Sequence, residues 1–134
     1  GISLVVGNLA YARQAFQLDL REGRDPFARF APCPDDCEFA TCGMVMTEVC
    51  RGVRDPDLLR RVRARFEVMV YIPTSNVIWE RVTQLSWALD RRGVALPASD
   101  LLIATCALHV RAAIFTHDAH FNHIPGLEVI HSLE

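Results

Sequence analysis

PASDLLIATCALHVRAAIFTHD, residues 97–118, decides the fold. From Leu101 to Val110 apolar side chains occupy every face of a helix, so this helix belongs in the middle of a domain with no side turned to water. Arg111 interrupts the run, and AIFT (113–116) follows as a short β-branched and aromatic stretch, the signature of a buried strand. A buried helix running straight into a buried strand is half of a βαβ unit. One acidic residue, Asp100, heads the helix, where an unpaired carboxylate is expensive. Two readings account for it. Ser99 or Asp100 caps the helix behind Pro97, because a short oxygen-bearing side chain satisfies free N–H groups of a first turn. Alternatively, Asp100 belongs to a site.

Outward from this segment the same alternation repeats. ISLVV (2–6), FATC (39–42), VMVYI (68–72) and LEVI (127–130) read as further buried strands. Between them, apolar residues step by three or four: Leu9, Ala12, Phe16 and Leu20; Leu59, Val62, Phe66 and Met69; Ile78, Val82, Leu85 and Leu89. These are amphipathic helices with one inward face. Asp25-Pro26 and Asp55-Pro56 read as N-cap and N1 pairs, and Gly93 after LDRR as a helix stop. Strands alternating with helices predict an α/β fold, a central parallel sheet of about five strands covered by helices on both faces.

The 134 residues amount to a single domain, 1–134, long enough for a real core. A hydrophobic share of 51% with 22% charged residues is that of an ordinary soluble domain, and no apolar stretch is long enough to span a bilayer. The opening GISLVV has neither a basic leader nor a cleavage site, and five cysteines make no paired disulfide framework, so a reducing, cytoplasmic setting is expected. Cys33, Cys37 and Cys42 lack the second compact pair that a zinc site needs. A formal net charge of -2 argues against a generally basic coat. All fourteen basic residues are Arg, however, and RGVRDPDLLRRVRAR (51–65) gathers six of them, including Arg51, Arg54 and Arg61. Guanidinium groups fork onto phosphates or onto a partner's carboxylates, and the alternative is a solvated helix face.

In a parallel α/β sheet ligands bind outside the carboxyl ends of the strands, near the point where strand order reverses. Glu48 follows the second strand in MVMTEVCRG, Asp118 follows the fourth in FTHDAHF, and Asp100 heads the helix leading into the fourth. All three are expected at one end of the sheet. Converging carboxylates repel unless a divalent cation joins them, and hard oxygen donors suit Mg²⁺ or Mn²⁺. Such an ion polarises a phosphoryl oxygen and acidifies a bound water, which points to phosphodiester hydrolysis.

The segments GMVMTEVCRG (43–52), LPASDLLIA (96–104) and FTHDAHF (115–121), in this order, resemble the PIN-domain ribonucleases, in particular the VapC toxins of bacterial toxin–antitoxin pairs. The resemblance runs over nearly the whole chain. It implies a three-layer α/β/α fold, Mg²⁺- or Mn²⁺-dependent endoribonucleolytic cleavage of RNA, a homodimer, and silencing by a bound antitoxin. By position, Glu48, Asp100 and Asp118 match the second, third and fourth family acids and would bind the metal, with Asn8 and Thr116 in support and Arg51, Arg54 and Arg61 on RNA or antitoxin.

The chain departs from the family in LVVGNLAY (4–11). The family's first strand ends in an aspartate, and here Val6 or Gly7 stands in its place; neither side chain binds a cation. One base change separates Asp codons from those of Val and Gly, so an inactivating change and a naturally degenerate member both account for it. His120 also replaces an acid that many relatives carry two residues after the one matching Asp118. A catalytically inactive PIN-fold module that still pairs with an antitoxin is therefore the alternative function. His117, His120 and His123 form a rival zinc cluster without an obvious fourth ligand. Dimerisation is also expected because Met44, Met46 and Trp87 are among the apolar residues that one small domain would leave uncovered.

Overall fold

The computed structural model describes residues 2–6, 22–23, 37–116 and 119–130. Within them the chain runs β1 (Ile2–Val6), β2 (Cys37–Cys42), α1 (Gly43–Cys50), α2 (Pro56–Glu67), β3 (Val70–Ile72), α3 (Asn76–Arg91), α4 (Ala98–His109), β4 (Ala113–Phe115), a 3₁₀ turn (Ala119–His123) and β5 (Val129–Ile130). The helix expected over Leu9–Leu20, the Asp25-Pro26 cap and Cys33 lie outside the described residues.

The five strands form one parallel sheet in the order β3-β2-β1-β4-β5. The chain steps outward from β1 to β3, then returns across the sheet to β4 on the other side of β1. Right-handed crossovers running in opposite directions across a parallel sheet are the arrangement that gives an α/β/α fold. The same reversal makes the boundary between β1 and β4 the switch point. There the register pairs Val6 with Phe115 and Leu4 with Ala113, so both strands end on one edge.

Local chemistry sets the helix limits. Asp55 accepts a hydrogen bond from the Asp57 N–H at 3.0 Å with Pro56 opening α2, as that pair of residues predicts. Ser75 caps α3 by accepting from the Ile78 N–H at 3.4 Å. At the far end of α3, Val94 N–H donates to the Leu89 carbonyl and Gly93 N–H to that of Asp90, with Gly93 at φ 79°. This is the left-handed termination that glycine favours. α4 ends the same way: Ala112 N–H donates to the Ala107 carbonyl and Arg111 N–H to that of Leu108, but the left-handed position, φ 57°, is held by Arg111. A Cβ there costs about 1 kcal/mol. Arg111 is exposed, so Arg111→Gly should raise the urea-unfolding free energy by up to about 0.5 kcal/mol, the relief of strain less the cost of glycine's looser unfolded state. A drop in the unfolding midpoint would contradict this.

The capping reading of Ser99 and Asp100 is not what the structure shows. Pro97 occupies the N-cap and Ala98 opens α4, so both residues sit inside its first turn. Leu101 to Ala107 are buried without a break, as an all-round apolar helix requires. The one hydroxyl in that stretch, Thr105 Oγ1, donates to the Leu101 carbonyl at 2.7 Å and so carries no unmet polar group inside. Met69 falls beyond the end of α2, because that helix stops at Glu67 and the chain turns into β3.

The apolar surface differs from expectation. Met44 and Met46 are partly buried against the core, since α1 packs on both α2 and α4 and covers them. Trp87 is 62% exposed, with Arg91 stacked over its ring at 5.0 Å. Val68, Val70 and Tyr71, on or beside the edge strand β3, are exposed as well, and so are Val77 and Trp79 on α3.

Candidate functional site

α4 runs into β4, so its C-terminal end meets the start of that strand and its first turn lies toward the edge where the strands end. Asp100 is in that first turn, where the positive end of the helix dipole favours a carboxylate. Its side chain is 19% exposed. From beyond β4 the 3₁₀ turn brings up His120, 55% exposed, with Nδ1 4.0 Å from Asp100 Oδ2. Two apolar anchors seat the turn: Phe121 is wholly enclosed and Ile124 nearly so. His120 is thereby held facing outward beside the carboxylate while its neighbour is sunk in the core.

Glu48 occupies the last turn and a half of α1 and is half-buried. Its charge reaches Cys42, the residue from which α1 starts. Cys42 and Cys106 are both buried and hydrogen-bonded to each other between the end of β2 and the middle of α4. That bond is the main influence on both thiols: it lowers Cys42, against burial and the Glu48 charge, and raises Cys106, whose burial acts in the same direction. Nothing local in the sequence signals that they meet, since Cys42 ends the stretch FATC and Cys106 lies within the apolar helix.

Thr116 is buried directly after β4, and its N–H donates to the Ile130 carbonyl at 3.0 Å, tying the site edge to β5. Val6 is the last residue of β1, beside Phe115. Gly7, Asn8, His117 and Asp118 lie outside the described residues. Among the described residues no three His, Cys, Asp or Glu side chains gather to hold an ion. His123 is exposed on the same 3₁₀ turn as His120.

Arg51, Arg54 and Arg61 are all exposed, Arg51 at the end of α1, Arg54 in the link and Arg61 on α2. Arg60, from the same cluster, is ion-paired with Asp57 one turn earlier. Asp100, in the first turn of α4, and Glu48, on α1, are hard oxygen donors. That chemistry fits Mg²⁺ or Mn²⁺ better than a thiol-seeking ion.

A model of the PIN-domain family matches residues 23–127. No curated protein matches the chain significantly. Among solved structures the chain is similar to VapBC2 from Rickettsia felis bound to a DNA fragment from their promoter, at 18% identity over 96% of this chain and 98% of that one, TM-score 0.72. VapBC-1 from nontypeable Haemophilus influenzae superposes at TM-score 0.70 with 17% identity, covering 99% of this chain and 98% of that one. VapBC-5 from Mycobacterium tuberculosis, a member of the VapBC family of toxin–antitoxin systems, gives TM-score 0.62 and 19% identity over 97% and 98% of the two chains. At these identities the likeness establishes the shared fold.

Proposed function

The chain belongs to the PIN-domain family, and from that premise we propose that it is the toxin of a VapBC-type pair, a metal-dependent endoribonuclease whose activity is impaired in this chain because Val6 or Gly7 stands where the family's first acid belongs. PIN domains are in general nucleases. The observation that carries the reading is the position of Asp100: a partly buried carboxylate at the positive end of α4, near the switch point between β1 and β4, with no place in the helix cap.

Glu48, Asp100 and Asp118 would hold Mg²⁺ or Mn²⁺. When bound, such an ion supplies Lewis acidity to a phosphoryl oxygen and a more acidic water. The chain's own contribution is placement. Asp100 is fixed by a helix that is buried along seven consecutive residues, and Thr116 holds the end of β4 against β5. Arg51, Arg54 and Arg61 give exposed guanidinium groups to the phosphates of RNA or to carboxylates of an antitoxin.

One observation favours a second reading. β1 ends in Val6, an aliphatic residue at the strand end facing the β4 terminus, so the edge lacks a carboxylate at that position. This suits a PIN-fold module that binds an antitoxin without cutting RNA. Assaying RNA cleavage in Mn²⁺ by the native chain and by Val6→Asp, each with and without antitoxin, decides between them.

The antitoxin is the proposed protein partner because the similar structures are toxin–antitoxin complexes. A homodimer is proposed on the exposed apolar residues around β3 and α3. Among the described residues no helix is long and apolar enough to cross a membrane, and the proposed setting is the cytoplasm, where RNA is met. Light scattering should therefore give about twice the 15.0 kDa chain mass. A monomer at high concentration would remove the dimer from this account.

A further inference from the structure

We propose that His120 is part of the cation site, adding an imidazole nitrogen beside the Asp100 carboxylate and shifting the site's preference from Mg²⁺ toward transition cations such as Mn²⁺. The inference rests on the metal-site reading above and deepens it. The 4.0 Å between His120 Nδ1 and Asp100 Oδ2 is longer than a hydrogen bond. It lies within the span of about 3.0 to 4.2 Å open to two donors that share one ion with bonds of about 2.1 Å.

The packing argues for a presented side chain. His120 is half exposed, while Phe121 and Ile124 on either side of Asn122 and His123 anchor the turn. A short, well-anchored turn holds the imidazole near Asp100 without the entropy loss that a long flexible side chain would carry. A carboxylate joined by an imidazole nitrogen favours ions that accept imidazole; Mg²⁺, which demands hard oxygens in near-ideal octahedral geometry, is disfavoured.

The test uses the native chain and Mn²⁺ alone as the probe. Pulsed paramagnetic resonance on the Mn²⁺-loaded protein should show coupling to a ¹⁴N nucleus, lost in His120→Ala and His120→Asp and kept in His123→Ala. Calorimetric Mn²⁺ titration with Mg²⁺ as competitor should show the Mn²⁺-over-Mg²⁺ preference falling about tenfold or more in His120→Asp, which exchanges nitrogen for oxygen. Because His120 is exposed, both variants are expected to fold, and their circular dichroism checks it. If Mn²⁺ binds and depends on Asp100, as shown by its loss in Asp100→Asn, yet no nitrogen coupling appears, the role of His120 is overturned and the metal site stands. If the coupling persists unchanged in His120→Ala, the role of His120 is likewise overturned. If Mn²⁺ does not bind at millimolar concentration, both readings fall.

Discussion

Val6→Asp should raise RNA cleavage from near background by at least about 10- to 100-fold and tighten Mn²⁺ binding. That range is what disturbing even the partners of metal ligands typically costs, so a missing ligand should cost no less. Position 6 is suited to the change because it ends β1 at the switch point, level with Phe115 of β4 and on the edge toward which α4 directs Asp100. The new carboxylate would add an oxygen that fixes the ion against the phosphodiester. In the same background Asp100→Asn should abolish cleavage while leaving the fold intact, since Asn keeps the size of the side chain and the first turn of α4 does not depend on it for its N-cap. Added antitoxin should suppress the restored activity. Cleavage by the native chain as fast as by Val6→Asp would mean that no acid is needed at this place, and the assignment of Glu48, Asp100 and Asp118 would then be wrong.

The second large effect concerns the turn that carries His120. Phe121 is wholly enclosed, and truncating a core phenylalanine removes both its transfer free energy and its packing, so Phe121→Ala should cost about 3 to 5 kcal/mol. In a domain of this size that corresponds to a fall in Tm of roughly 10 °C or more. His123→Ala, on the same turn and exposed, should move Tm by little. The contrast between the two, read by thermal unfolding, reports whether the turn is anchored through its apolar residue. A loss below about 1 kcal/mol for Phe121→Ala would show that the turn is not seated in the core.

Much of the fold was legible because its signals are local. The unbroken apolar run in 101–110 reads as a buried helix whatever surrounds it, and the structure buries Leu101 to Ala107 without a gap. Asp55-Pro56 and Gly93 mark helix ends through hydrogen bonds made within a few residues, and those bonds are present. The expected strands 2–6, 39–42, 68–72, 113–116 and 127–130 each contain or overlap an observed one, since Val, Ile and Phe runs of that length suit a sheet covered on both faces.

What depended on distant parts of the chain was not legible. Periodicity shows that a residue is apolar, but only packing decides whether a neighbour reaches it, so Met44 and Met46 are covered by the core while Trp87 stands in solvent. Arg111 in a left-handed position has no composition signal, because the tight passage from α4 to β4 imposes that geometry on whatever residue falls there. Cys42 meets Cys106 across 64 positions, a gap closed only when β2 and α4 pack in one sheet-and-helix body, and Asp100 meets His120 across 20, a gap closed when β4 runs back along α4. The chain's local chemistry determined its elements and candidate acids, since propensity, capping and periodicity act within a few residues. Tertiary structure alone decided which side chains share a site, because that depends on strand order and on the crossovers that bring separate helix ends to one edge.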